Sequence, residues 1–243
     1  MKKYPILILP GWLLGSKQFL PLTQEFMRAG YEAYCVDFPG FEQGVPLTET
    51  LRLTDYVKFV EKYTRLNKLT KSIFICHSFG GRVALKLLSQ DPSKAAALIL
   101  SGTPGFPTIT KFRKYVTQIV AYLGNLVTYI PPFLFFRKYI RTIFYRLTNS
   151  MDYYHTSGFL RTTFKNIVDE SLVEYMRKIR LPTILIWGEK DKLVPLRIAR
   201  RMKRTITGAE MVVMKTQGHM CVYKDPQVFV QLVGDFLNAQ HLS

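Results

Sequence analysis

His77-Ser78-Phe79-Gly80-Gly81 stands between a short apolar run, Ser72 to Cys76, and a helix-like stretch, Arg82 to Leu88. A serine wedged between a buried strand and a helix is forced onto a sharp turn that lifts its hydroxyl clear of the backbone. That is a nucleophile's position. Phe79 then offers its backbone N–H to a developing oxyanion, and Gly80 and Gly81 let strand and helix approach closely. The stretch reads C-H-S-F-G, so Cys76 occupies the first glycine position of the G-x-S-x-G pattern. The position demands a small side chain where strand and helix cross, and cysteine is small and apolar.

Outward from this turn, short β-rich apolar runs alternate with helix-periodic segments, the pattern of a parallel sheet covered on both faces. The expected strands are Pro5 to Leu9, Ala33 to Val36, Ser72 to Cys76, Ala96 to Ser101, Thr183 to Trp187 and Glu210 to Met214. Helices are expected around Gln18 to Ala29, Thr50 to Tyr63, Gly80 to Ser89, Pro195 to Lys203 and Pro226 to Asn238, with proline at the first turn of the last two. The alternation stops after Thr103-Pro104-Gly105 and resumes near Leu181-Pro182. Residues 1–104 and 181–243 therefore read as one α/β core, and residues 105–180 as an inserted helical cap. Between 105 and 165 the cap holds nine Lys and Arg against one acid, Asp152. Apolar residues recur at helical spacing from Phe112 to Leu126 and from Phe133 to Phe144. These are basic amphipathic helices, and the commonest fate of such an apolar stripe is to pack on the main domain.

A serine hydroxyl is scarcely ionised at neutral pH and needs a base. Of the four histidines, His219 follows a late strand in the loop Gln217-Gly218-His219-Met220, where the glycine frees the chain to swing the imidazole across the strand ends. His77, adjacent to the serine, points elsewhere and reads as a packing or hydrogen-bonding residue. A third group must fix the tautomer, and Asp191 follows the strand ending at Trp187. Asp37, in its Pro-Gly loop, reads as a turn cap. No H-E-x-x-H, G-x-x-x-x-G-K-[ST] or G-x-G-x-x-G pattern occurs, so neither metal nor nucleotide cofactor is expected.

The order Ser78, Asp191, His219, with the serine after a central strand, resembles the α/β-hydrolase family. The resemblance covers nearly the whole chain: Leu9-Pro10-Gly11-Trp12 is similar to the oxyanion loop, and Gly188-x-x-Asp191 and Gly218-His219 to the acid and base loops. It implies an α/β-hydrolase fold with a mostly parallel sheet of about six strands, an oxyanion hole from the backbone amides of Trp12 and Phe79, and a cap over the site. It also implies an esterase-like activity on a small-molecule acyl ester, with the acyl pocket drawn from Tyr122, Tyr129, Phe133, Phe136 and Val194. Pro10 stands where many relatives carry the histidine of an H-G pair, which removes a side chain that braces the loop. Only four residues precede the first strand, so the family's two N-terminal antiparallel strands are expected to be missing.

Size and charge leave several partners open. At 243 residues and 48% apolar, the chain suits one core with an insertion. A net charge of +17 suggests an anionic membrane surface, an acidic carrier protein or an anionic substrate, or only a solvated basic surface; no nucleic-acid module is recognisable. Cys35, Cys76 and Cys221, odd in number and without metal-like spacing, suit a reducing, cytoplasmic setting, with peripheral attachment to the membrane as an option. Lys2-Lys3 before Ile6 to Leu9 fails as a secretion signal because Pro10-Gly11 breaks the run. The uncharged stretch Tyr115 to Phe136 is broken by Gln118, Asn125 and Pro131-Pro132, which suits a lid or interfacial helix over a membrane span. The same triad also serves thioester and carbon–carbon bond hydrolases, and a docking protein with a vestigial site is the non-enzymatic alternative.

Overall fold

The structure is a computed structural model that describes residues 3–106 and 158–242. The helices expected between Phe112 and Phe144, and with them the proposed pocket residues Tyr122, Tyr129, Phe133 and Phe136, lie outside the described residues.

Six strands form one sheet: β1 (Ile6–Leu9), β2 (Ala33–Cys35), β3 (Ser72–His77), β4 (Ala95–Ser101), β5 (Thr183–Gly188) and β6 (Glu210–Met214). Their order is β2-β1-β3-β4-β5-β6, and every pairing is parallel. The described helices are α1 (Ser16–Arg28), α2 (Leu53–Leu66), α3 (Phe79–Gln90), α4 (Gly158–Asp169), α5 (Val173–Lys178), α6 (Leu196–Thr205), α7 (Cys221–Lys224) and α8 (Pro226–Ala239).

The two-residue period of the strands divides the core. Leu7, Leu9, Phe74, Cys76, Leu98, Leu100, Leu185 and Trp187 join the cluster that also holds buried residues of α2, α3, α5 and α6. Ile6, Ile8, Ile73, Ile75, Ala97, Ile99, Ile184 and Ile186 join the cluster under α1, α7 and α8. Both faces are apolar because both are covered, which is why these strands read as continuous hydrophobic runs.

Chain order sets where a site can form. From β1 the chain winds outward to β2, then returns past β1 to β3 and winds the other way. Between the carboxyl ends of β1 and β3 the loops part, and that crevice is where open α/β sheets bind ligands. Trp12 and Ser78 follow those two strands.

The connection between β4 and β5 is fastened to α3 at its described ends. Arg82, 5% exposed, donates to the carbonyls of Pro104 (3.3 Å), Ile167 and Glu170 (2.7 Å). Burial pulls its guanidinium down to about 10, with Glu170 and Asp169 opposing that shift. One turn on, Lys86 pairs with Glu170 at 2.7 Å, and the Tyr175 hydroxyl donates to the same carboxylate at 2.7 Å.

Candidate active site

Ser78 sits between β3 and α3 with φ 48° and ψ −108°, a backbone conformation that costs an L-residue energy and persists only where its surroundings enforce it. Two hydrogen bonds and two close approaches enforce it. The Ser78 amide donates to Ser101 O (2.8 Å) at the end of β4, and the Gly80 amide donates to Pro10 O (2.9 Å) after β1. A Cβ on Gly80 would overlap the Leu9 carbonyl, and one on Gly81 would overlap the Thr103 side chain. Pro10 thus braces its loop through its carbonyl. Cys76 lies fully buried in β3, its thiol pushed well above the usual range by desolvation, which makes it a packing residue.

Phe79 is the first residue of α3, where the helical ladder supplies its N–H with no acceptor. Its ring fills an aromatic nest with Tyr56, Phe38, Phe41 and Trp12, centroids 5.0 to 5.5 Å away. Trp12 completes it, edge-on to Phe41 at 5.0 Å and to Phe164 of α4 at 4.9 Å, and its Nε1 has no acceptor among the described residues.

Asp191 and His219 meet from two other loops. His219 Nδ1 lies 2.8 Å from Asp191 Oδ2, with the carboxylate side chain 1% and the imidazole 9% exposed. The second carboxylate oxygen accepts the amides of Leu193 (2.9 Å) and Val194 (2.8 Å), so each oxygen of Asp191 has a fixed task. Trp187 Nε1 donates to Val194 O (2.9 Å) and stiffens this loop, in which Val194 is 5% exposed. The acid and base loops are joined by Lys190 N to Gln217 O (2.8 Å) and Glu189 N to Met214 O (3.0 Å).

The imidazole lies over the residues that anchor the serine. A Cβ on Gly102, next after Ser101, would stand 2.7 Å from His219 Cε1 and 2.9 Å from Nδ1. The ring centroids of His77 and His219 are 4.8 Å apart. Ser78 and His219 therefore occupy the same end of the sheet, although no hydrogen bond between them is recorded among the described residues.

Gly218 differs from its expected role. Its φ is not positive, and a Cβ there would meet only Lys190 O, at 3.9 Å; the crowded glycine is Gly188, where a Cβ would overlap Gly218 O. Asp37 caps α1, accepting Ser16 N at 2.7 Å and the Ser16 hydroxyl at 2.8 Å. The His77 ring packs, and neither of its nitrogens has a partner within hydrogen-bond distance among the described residues. Desolvation, with His219 adding, holds it well below the ordinary imidazole range, while the Ser101 backbone opposes. A neutral, buried imidazole packed at a tilt against the candidate base is legible in no local motif, because the contact joins residues 142 positions apart.

The sequence model described as alpha/beta hydrolase fold matches residues 4–226. The chain belongs to the α/β hydrolase fold family. This α/β hydrolase is similar to monoacylglycerol lipase ABHD6 of Rattus norvegicus, 28% identical across 98% of this chain and 77% of that protein. It is also similar to the AB hydrolase superfamily protein YisY of Bacillus subtilis, 26% identical across 97% of this chain and 92% of that protein. Among solved structures, an esterase (EaEST) from Exiguobacterium antarcticum superposes with a TM-score of 0.74 at 20% identity, covering 98% of this chain and 92% of that one, a likeness of fold.

Proposed function

We propose that this α/β hydrolase is a serine hydrolase of carboxylic esters with an apolar acyl group, acting through Ser78, His219 and Asp191. The observation that carries the reading is the 2.8 Å contact between His219 and Asp191 at the strand-end edge where Ser78 takes its left-handed turn. His219 Nε2 takes the Ser78 proton as Oγ bonds to the ester carbonyl carbon, and Asp191 steadies the imidazolium. The amides of Trp12 and Phe79 hold the oxyanion. The alcohol leaves with the proton from His219, and water, deprotonated by the same base, releases the acid and restores Ser78. Each methylene of the acyl chain that is buried on binding adds about 0.8 kcal/mol. The likeness to a protein named monoacylglycerol lipase favours a glycerol ester as substrate.

Fluorophosphonate labelling and a panel of p-nitrophenyl esters graded by chain length test the reading. Labelling of Ser78 and a rise in kcat/KM with chain length are expected. Undiminished hydrolysis by Ser78→Ala ends the assignment.

A further inference from the structure

On α6 (Leu196–Thr205), Arg197, Arg200, Arg201 and Arg204 follow the i, i+3, i+4, i+7 spacing that places side chains on one stripe of a helix. All four are exposed, while Ile198, Ala199 and Met202 bury the opposite face. The stripe is about 10 Å long, from seven residues of helical rise. Within α6 it works against folding. Its neighbours at three and four residues are like charges, its first turn holds no acid, and Arg197 sits at the helix end whose dipole favours anions. Only Arg201 has a recorded partner among the described residues: its guanidinium lies 3.8 Å over the ring of Phe106. Such a line of cations raises the local concentration of anions and favours an anionic partner from outside the helix.

We infer that the arginine face of α6 docks the protein on an anionic phospholipid surface. Guanidinium groups pair with phosphate oxygens in a planar, bidentate manner, and a line of them suits a sheet of repeated phosphates. An apolar residue stands at the same end as the site: Leu193, 42% exposed, lies in the loop between Asp191 and the start of α6, where it can enter the headgroup layer. The choice of lipid among anionic partners rests on the proposed ester chemistry, since an acyl ester of low solubility is met at a bilayer. The exposed part of the stripe shows no aromatic residue interleaved for base stacking, which disfavours single-stranded nucleic acid.

The test is co-sedimentation of the full chain with vesicles of phosphatidylcholine alone or with added phosphatidylglycerol. The wild type is expected to partition onto the anionic vesicles only, and less as salt shortens the range of the attraction. R197Q/R200Q/R204Q, which leaves Arg201 on Phe106, is expected to lose about 100-fold in partitioning. Its hydrolysis of a soluble p-nitrophenyl ester is expected to stay unchanged, with a melting temperature equal or higher. R197K/R200K/R204K retains most binding, and Ser78→Ala retains all of it, so failure of the ester reading appears in hydrolysis and failure of docking in sedimentation. Absence of wild-type partitioning overturns the inference, as does equal partitioning by the glutamine variant or a lowered melting temperature in it. Displacement from the vesicles by polyglutamate or duplex DNA at equal charge marks a general polyanion surface and overturns it too.

Discussion

The two halves of the candidate site are held in place by different means. On the serine side, main chain meets main chain: Ser78 and Gly80 are fixed by carbonyls of β4 and of the loop after β1, and absent Cβ atoms make the approach possible. On the acid–base side, side chains hold the geometry, with one carboxylate bonded to two amides and one imidazole. The first kind of restraint is intolerant of any added atom. The second yields to substitutions that keep shape but change a donor or acceptor.

Removal of the Ser78 hydroxyl gives the largest expected effect. Ser78→Ala should lower kcat/KM on a p-nitrophenyl ester by a factor on the order of 10⁵. Relief of positive φ is not part of that change, since alanine is strained there as well, so the melting temperature should stay close to that of the wild type. Asp191→Asn comes next. The Asn oxygen can keep both bonds from the Leu193 and Val194 amides, but its NH2 faces His219 as a donor and cannot stabilise an imidazolium, so kcat should fall about 10⁴-fold with the fold retained, as circular dichroism would show. A well-folded Asp191→Asn enzyme with wild-type turnover would break the comparison, because the acid loop would then carry no chemistry.

Two glycines sharpen it further. Gly80→Ala must displace the Leu9 carbonyl from β1 and should cost about 3 kcal/mol or more in urea unfolding, whereas Gly218→Ala, with open space and ordinary φ, should change stability by less than about 0.5 kcal/mol. Equal costs at the two positions would show that the serine side is no more tightly built than the base loop.

The smallest effect is a pH dependence. His77 is held neutral in the folded chain, its imidazole well below 6.5, with His219 and the Tyr223 ring as its titratable neighbours. Below pH 6.5 the unfolded chain binds a proton that the folded chain refuses. The stability present above 6.5 is therefore lost progressively as pH falls. Melting temperatures of His77→Asn measured from neutral to mildly acidic pH should fall less steeply than those of the wild type. An identical slope would assign the effect to other groups.

Much of this was legible in the sequence for a physical reason. A parallel sheet buried on both faces makes each strand a continuous apolar run, and all six strands lie where those runs do, to within a residue at most ends. Ser78, Asp191 and His219 stand out because each follows such a run in a polar, glycine-bearing loop. What could not be read depends on contacts between distant segments. The start of α2 falls at Leu53 and not at Thr50, because the Leu51 amide is drawn to Thr163 Oγ1 (2.9 Å), 112 residues away. The short α7, just before Pro226, has too few residues to show a period. The contact of His77 with His219 and the grip of Arg82 on Ile167 and Glu170 likewise arise only when the chain has closed on itself.

That grip bears on how so long a connection between β4 and β5 is tolerated. Arg82 binds Pro104, where the chain departs from the sheet, and Ile167 and Glu170, where it comes back. Departure and return share one clamp, four residues beyond Ser78, and the loop-closure entropy of the chain between them grows only slowly with its length. Segments of other length can therefore be accommodated between these points without disturbing the strands.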